Sequence, residues 1–218
     1  METVTGRIII ADDHAIVRTG LQLILDDQDD LSVVDEARNG QELLNKLYAN
    51  EDKYNLVVLD ISMPGKDALD VLKEIKTNWG HLPVVIFSMN PDDVYAIRMI
   101  RNGASAYINK ETKSEQIIHI LRTVLSGRKY ISPEQTEMMT EMMTNQGNIN
   151  KLPHETLTDR EFQVFSMLAN GIRKPDIAEK LSISKNTLSN HKNNILKKMN
   201  MSMDSELTRY AIQNGIIQ

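Results

Sequence analysis

Short apolar runs that alternate with helical patterns are the feature that most constrains the fold of this chain. The runs are rich in β-branched residues, which is typical of strands, and a helix-like segment separates each run from the next. Strands joined through helices pair in parallel, and helices then cover both faces of the sheet. The alternation predicts an α/β domain with a five-stranded, parallel, doubly wound sheet. The expected strands are Arg7–Ala11, a weaker run at Leu31–Val34, Leu56–Leu59, Val84–Phe87 and Ala106–Ile108.

Polar side chains stand at or just past the carboxyl ends of four of these strands. The strand order 2-1-3-4-5 occurs in doubly wound folds, and it places strands 1 and 3 side by side. Ligands of open α/β sheets bind outside the carboxyl ends of the strands. The chain would therefore collect three carboxylates, a hydroxyl and an amine in one cleft. These groups belong to Asp12, Asp13, Asp60, Ser88 and Lys110.

The five groups suit phosphoryl transfer. The Asp60 carboxylate can act as a nucleophile toward phosphorus, as carboxylates do in enzymes that form aspartyl phosphates. Asp12 and Asp13 add like charge, which a hard divalent cation relieves, and Mg²⁺ is the natural choice. Lys110 would neutralise charge on the transferring group, and Ser88 would donate a hydrogen bond to it. An acidic pair or a lysine alone is more often a solvated surface feature, so only the joint placement favours a site.

Length and composition limit the class of protein. At 218 residues the chain can hold two small domains. It has no cysteine, and no apolar run approaches the length of a membrane span or a signal-peptide core. We therefore expect a cytoplasmic protein with no membrane partner. Residues 155–218 carry nine Lys or Arg against seven Asp or Glu, whereas the rest is acidic, which is a weak indication that this part meets a polyanion.

The pattern changes in the last third of the chain, where a linker and an all-α domain of four short helices are expected. Pro133–Met143 is a Met-rich helical stretch, whose methionines are more often packing residues than ligands. Thr144–Glu155 is rich in Asn and Gly and is predicted to be a linker. Thr158 and Glu161 form a capping box at the start of the first of the four helices.

The longest of these helices, Lys185–Met199, has the pattern of a DNA-recognition helix. Its apolar residues share one face, and no acid lies within it. Asparagine can read adenine edges, and lysine can reach guanine or phosphate. Charge alone does not distinguish this face from an ordinary solvated one. The candidate DNA contacts are Lys185, Asn186, Ser189, Asn190, Lys192, Asn193 and Lys197.

The N-terminal part closely resembles the receiver domain of two-component response regulators, over about residues 6–128. The resemblance implies that Asp60 is the phosphoacceptor. It also implies that Asp13, Asp60 and the backbone carbonyl of Ser62 hold Mg²⁺, with Asp12 contributing through water. The matching runs are Ile10-Ala11-Asp12-Asp13-His14, Val58-Leu59-Asp60-Ile61-Ser62-Met63-Pro64-Gly65, Ser88 and Tyr107-Ile108-Asn109-Lys110.

The same resemblance implies a switch pair, Ser88 and Tyr107. The hydroxyl would move toward the phosphoryl group while the aromatic ring turns inward. Ser62 and Asn90 stand at positions that tune phosphoaspartate hydrolysis in the family. The family counterpart of His14 has no catalytic duty, and we assign none to it.

The C-terminal part, about residues 155–218, resembles the LuxR-type helix-turn-helix. The matching residues are Leu157-Thr158-Asp159-Arg160-Glu161, Ile177-Ala178, Ile183-Ser184, Thr187, His191 and Asn194-Ile195. With the receiver, this resemblance places the chain in the NarL/FixJ family. The chain departs from the family in having Ser189 where lysine is common, Pro175 where a polar residue is usual, and few basic residues near Asn193. Fewer phosphate-reaching cations weaken nonspecific, salt-sensitive binding.

Together the two resemblances imply a response regulator that controls transcription and is not an enzyme. A histidine kinase would phosphorylate Asp60, and phosphorylation would favour a homodimer that binds double-stranded DNA at two half-sites. RNA polymerase is a further candidate partner. The expected domains are the receiver at 1–128, a linker with a helix at 129–154, and the DNA-binding domain at 155–218.

Two alternatives stay open at this point. A regulator whose DNA binding ignores phosphorylation would use its receiver only for dimerisation. An aspartyl-phosphate phosphatase of the dehalogenase type needs a second Asp two residues after the nucleophile, and this chain has Ser62 there.

Overall fold

A parallel sheet is the centre of the N-terminal unit in this computed structural model, which describes residues 6–89, 93–144, 152–181 and 183–217. Its strands are β1 (Gly6–Ala11), β2 (Leu31–Ala37), β3 (Leu56–Leu59), β4 (Val84–Ser88) and β5 (Ala106–Asn109). The strands lie in the order β2-β1-β3-β4-β5, and every neighbouring pair is parallel. The predicted doubly wound sheet is confirmed.

Helices cover the sheet on both faces, as the apolar strands require. On one face, Ile8 and Ile10 of β1 are buried with Leu25 and Leu121. Ile9 points to the other face, because side chains alternate along a strand, and it is also fully buried. Burial on both faces explains why the strands are continuous apolar runs in the sequence. The helices of this unit are α1 (Ala15–Asp26), α2 (Gly40–Ala49), α3 (Ala68–Asn78), α4 (Asp93–Arg101) and α5 (Ser114–Leu125).

The second strand extends beyond its predicted end, through Asp35 and Glu36. Asp35 accepts hydrogen bonds from the Lys46 ammonium at 2.6 Å and from the Tyr54 hydroxyl at 2.8 Å. Glu36 accepts one from the Arg18 guanidinium at 2.6 Å. Charged partners from other elements stabilise this end of β2, so the strand has no apolar signature there.

The C-terminal unit is helical, as predicted. Its first helix, α6, covers the Met-rich stretch. The four helices of the predicted DNA-binding domain follow, and they bury Phe162, Phe165, Ile195 and Leu207 completely. The helices of this unit are α6 (Pro133–Thr144), α7 (Asp159–Ala169), α8 (Lys174–Lys180), α9 (Lys185–Lys198) and α10 (Asp204–Gln213).

Local signals in the sequence begin and end these helices. Thr158 and Glu161 form the predicted capping box, in which the Thr158 N–H donates to the Glu161 carboxylate at 2.8 Å. Pro175 lies in the first turn of α8, where a missing N–H costs nothing. Gly171 has a φ of +72°, and this left-handed conformation ends α7.

The predicted linker is described only in part. Residues 145–151 and Asn90 lie outside the described residues, and Pro153–Thr156 form a short 3₁₀ turn. Tyr130 packs against the core of the N-terminal unit, whereas His154 lies in the C-terminal unit and hydrogen-bonds the Tyr210 hydroxyl at 2.9 Å. Within the described ranges, no helix is both long and apolar enough to cross a membrane.

Candidate functional site

The predicted acids meet at the carboxyl ends of β1 and β3. The Asp60 N–H donates to the Ala11 carbonyl at 2.8 Å, which aligns the tip of β3 with β1. Asp12 and Asp60 are each only 1% exposed. One ligand atom from each of Asp12, Asp13, His14 and Asp60 lies within 4.8 Å of the others, so the structure brings together all three predicted carboxylates.

Lys110 reaches the same cleft from β5. Its Nζ lies 2.6 Å from Oδ2 of Asp12 and 3.2 Å from Oδ1 of Asp60. Its backbone N–H donates to the Ser88 carbonyl at 2.8 Å, which fixes the end of β5 against β4. A buried ammonium thus lies between two buried carboxylates, and the structure brings Lys110 into the same cleft as the predicted acids.

Asp60 and Asp12 differ in how their charges are satisfied. Asp12 accepts hydrogen bonds from the Lys110 ammonium and from the His14 N–H at 2.8 Å. Neither Oδ atom of Asp60 has a hydrogen bond among the described residues, although both are buried. Burial raises the pKa of the Asp60 carboxyl, and the Lys110 charge offsets only part of that rise. Asp60 is therefore a buried carboxylate whose oxygens keep hydrogen-bonding capacity that a bound cation could use, with the Lys110 ammonium as a charged neighbour 3.2 Å from Oδ1.

The oxygen atoms in the cleft form the kind of ligand set that hard divalent cations prefer. Three carboxylates converge there, and the unsatisfied Asp60 oxygens can serve as ligands. The acidic cluster thus fits a metal of this class.

Two residues at this site had no role in the sequence analysis. His14 Nδ1 lies 3.0 Å from Oδ1 of Asp13, at the exposed rim of the cleft. Arg18, in α1, is buried and donates to the Asp12 carbonyl at 2.9 Å and to Glu36. Arg18 thereby ties the loop after β1 to β2. No sequence signal marks it, because a lone arginine on an amphipathic helix is usually a solvated residue.

The remaining predicted residues of the N-terminal site lie around this cleft. Ser88, at the end of β4, is fully buried, and Tyr107 in β5 is 6% exposed. Ser62 is exposed, two residues after Asp60 in the loop that follows β3.

Most of the predicted DNA contacts lie on the solvent side of α9. Leu188 and Ile195 are buried on the other side, so the predicted amphipathic division of the helix is confirmed. The N-terminus of α9 is fixed by Ser184, whose hydroxyl accepts from the Thr187 N–H at 3.0 Å. The exposed candidates are Lys185, Asn186, Ser189, Asn190, Asn193 and Lys197.

Lys192 differs from the other candidates because it is half-buried and paired. Its Nζ lies 2.7 Å from Oδ1 of Asp204, at the start of α10. Lys174 of α8 approaches the same carboxylate at 3.4 Å. The hydrogen bond to Asp204 raises the pKa of Lys192, so the lysine stays charged but is already neutralised.

Lys198 at the other end of α9 is also neutralised. It lies 2.6 Å from the Glu161 carboxylate, which also caps α7. By contrast, Lys185 and Lys197 have no salt bridge to any described residue, so their charges are available to an anion. Only two of the four lysines on this helix therefore present unneutralised charge.

Two family descriptions match the chain, one after the other. The response regulator receiver domain matches residues 8–122. The luxR family of bacterial regulatory proteins matches residues 155–211. The acidic cleft lies within the first range, and α9 lies within the second.

Known proteins are similar over nearly the whole chain. The oxygen regulatory protein NreC of Staphylococcus carnosus (strain TM300) is 36% identical over 216 residues, which cover 97% of this chain and 99% of that protein. A structure of the Salmonella typhimurium RcsB response regulator has a TM-score of 0.75 at 24% identity, covering 94% of this chain and 96% of that one. RcsB of Salmonella enterica serovar Typhimurium, bound to the promoter rprA with the phosphomimetic BeF3−, has a TM-score of 0.70 at 24% identity, covering 94% and 98%. At this identity the RcsB structures establish the fold.

Proposed function

The chain belongs to the two-component response regulators that carry a LuxR-type DNA-binding domain, and from this membership we propose that a histidine kinase phosphorylates Asp60 to control DNA binding. Phosphorylation favours a homodimer that binds double-stranded DNA in the cytoplasm and regulates transcription, with RNA polymerase as a further partner. The observation that carries the proposal is the buried Asp60 carboxylate, whose oxygens have no hydrogen bond among the described residues while Lys110 and Asp12 flank it.

Mg²⁺ is the proposed cofactor of this reaction. Asp12, Asp13, Asp60 and the backbone carbonyl of Ser62 would hold it, Asp12 through water. The convergence of three carboxylates at the cleft supports this choice, since like charges at close range need a counter-charge. When bound, the ion supplies positive charge against the phosphoryl oxygens.

The chain's own residues account for the rest of the reaction. An Oδ atom of Asp60 forms a bond to phosphorus as the bond from phosphorus to the kinase histidine nitrogen breaks, and that bonding pair stays on the nitrogen. The Lys110 ammonium moves from its pairing with Asp12 and Asp60 toward the new phosphoryl oxygens. The Ser88 hydroxyl donates to one of those oxygens, and Tyr107 follows it as the second member of the switch. New contacts of this kind shift the receiver toward its active conformation.

We propose that α9 reads the DNA. Its exposed asparagines suit adenine edges, and Lys185 and Lys197 suit phosphate or guanine. RcsB, which has the same fold, is bound to a promoter in one structure, and this supports DNA as a ligand of this chain. Lys192 can contribute only after it leaves Asp204. The remaining proposed contacts are Asn186, Ser189, Asn190 and Asn193.

The test compares wild type with Asp60→Asn in the presence of a small-molecule phosphodonor and Mg²⁺. Intact mass measures phosphorylation, light scattering measures dimerisation, and binding to duplexes selected from a random pool measures DNA affinity. We expect wild type alone to gain one phosphoryl group, to dimerise and to bind DNA more tightly. Asp52→Asn changes an exposed acid in the turn before β3, at the opposite end of that strand from Asp60; it is the matched control for the loss of one charge and should behave as wild type.

Other results would refute this function. If DNA affinity is the same in all samples, the receiver serves only in dimerisation and binding is independent of phosphorylation. If the wild type instead releases inorganic phosphate with sustained turnover while neither its dimerisation nor its DNA affinity changes, the chain is a phosphatase.

A further inference from the structure

A second cleft of about 510 Å³ opens at the amino-terminal edge of the receiver sheet, the edge opposite Asp60. Asn55 and Pro83, which come just before β3 and β4, line it together with Ser105 before β5. Its volume is in the range of small-molecule sites. Nothing in the phosphorylation mechanism uses this edge of the sheet.

Four basic side chains line this cleft. Lys76 comes from α3, His81 from the loop before β4, and Arg128 and Lys129 from the segment after α5. No acidic residue lines the cleft, and none of these four basic residues forms a salt bridge with any residue that the structure describes. The cleft is therefore a concave surface with uncompensated positive charge, which focuses the field on an anion.

Lys76 is held in place rather than extended into solvent. The aliphatic part of the Lys76 side chain passes over Gly103. A Cβ added at position 103 would lie only 2.9 Å from the Lys76 Cγ, and Gly103 has a φ of +105°. The ammonium donates to the Leu82 carbonyl at 2.7 Å and has no second acceptor within the described part of the chain. Burial and the neighbouring charge of Lys129 lower the pKa of Lys76 to about 8. An anion in the cleft would relieve this repulsion.

We propose that this cleft binds a phosphorylated small molecule that carries two or more negative charges. Lys76, Arg128 and Lys129 supply charge-assisted donors, and the planar guanidinium can meet two phosphate oxygens at once. Val124 and Pro83 form an apolar part of the cleft wall, which can contact the carbon skeleton of the ligand beyond its phosphate. The receiver thus has a ligand site that is separate from its phosphoacceptor, and a metabolite bound there can act on the same domain.

Calorimetric titration of the full-length chain with inorganic pyrophosphate tests the proposal. The buffer contains EDTA and is held at constant ionic strength, so that neither Mg²⁺ nor general screening contributes. We expect saturable binding at one site, weakened about 10-fold or more by either Lys76→Met or Arg128→Gln, since each removes a charge-assisted contact. Lys73→Met, on the exposed side of the same helix and outside the cleft, should bind as wild type.

Three results would overturn the proposal. The first is the absence of saturable binding in wild type, and the second is an equal loss in Lys73→Met. The third is a loss of nonspecific DNA affinity in Lys76→Met as large as its loss of pyrophosphate affinity, because the cleft would then be a DNA-phosphate surface. Phosphorylation of each variant by a phosphodonor shows that the variant is folded. If Lys76→Met does not fold, the test rests on Arg128→Gln, which changes an exposed residue.

Discussion

Asp12 and Asp60 show how two carboxylates of equal burial acquire different chemistry. Asp12 has two donors and is electrostatically satisfied, whereas both oxygens of Asp60 lack a hydrogen bond among the described residues. A buried carboxylate without a hydrogen bond destabilises the folded state, and the Lys110 ammonium 3.2 Å away offsets only part of that cost. The less stabilised of the two carboxylates is therefore Asp60, the proposed phosphoacceptor.

Asp60→Asn should increase the stability of the receiver while removing its response to Mg²⁺. The substitution removes a buried charge beside Asp12, and we expect the free energy of unfolding to rise by about 1 kcal/mol without metal. Mg²⁺ should raise the melting temperature of wild type, because a ligand of the native state stabilises it, but not that of the variant. Thermal unfolding with and without Mg²⁺ measures both effects. A less stable variant that still responds to Mg²⁺ would contradict this account, and Asp52→Asn controls for charge.

Lys76 should leave a signature in the pH dependence of stability. Its pKa is lowered from 10.5 to about 8 by burial and by Lys129. Below pH 8 both folded and unfolded chains hold the proton, and the folded state bears the full penalty of the buried charge. Between pH 8 and 10.5 the folded state releases the proton first, so stability rises through this window. From pH 8 to 10.5, the unfolding free energy of wild type should rise relative to that of Lys76→Met. Urea unfolding at several pH values measures both free energies. A difference between them that does not change with pH would refute the prediction.

At the scale of elements, local chemistry made the helix and strand pattern predictable. Thr158 with Glu161 marked the start of α7, and Pro175 marked the start of α8. The acids at the carboxyl ends of β1 and β3 were also predictable, because strand order alone determines which strand ends are neighbours.

Contacts between distant elements were not predictable from one sequence. β2 continues through Asp35 because Lys46 and Tyr54 bind its carboxylate, and no local pattern encodes that pairing. Lys192 stays a predicted DNA contact, but its pairing with Asp204 of the next helix had no signal in the sequence. Asp204, which lies outside α9, thus neutralises part of the positive charge on a helix whose own sequence contains no acid.

Asp204→Asn should strengthen DNA binding through α9. It releases Lys192 and Lys174, and each freed lysine that meets a phosphate displaces about one counterion. We expect tighter DNA binding at low salt. In a plot of the logarithm of the binding constant against the logarithm of the salt concentration, the slope should become more negative by about one to two. Glu179→Gln, an exposed acid of α8, makes the same change of charge without releasing either lysine and should leave the slope unchanged. An equal slope in both variants would show that net charge alone matters.

At the scale of the whole molecule, each unit has its own hydrophobic core. We propose that residues 1–132 and 152–218 fold as separate fragments. The first keeps Tyr130 against the sheet, and the second keeps the hydrogen bond between His154 and Tyr210. The first fragment should accept a phosphoryl group and bind no DNA, and the second should bind DNA without a phosphodonor. Mass spectrometry and DNA titration measure these outcomes, and a fragment that stays unfolded by circular dichroism would argue against separate domains.

The pairing of Asp12 with Lys110 joins residues that are 98 positions apart, at the ends of β1 and β5. During synthesis, β5 and its lysine leave the ribosome after the rest of the sheet. A growing N-terminal unit therefore has Asp60 early but completes the pocket around it last. Under the proposed function, a copy that ends before β5 lacks Lys110, so we expect such a copy to accept no phosphoryl group.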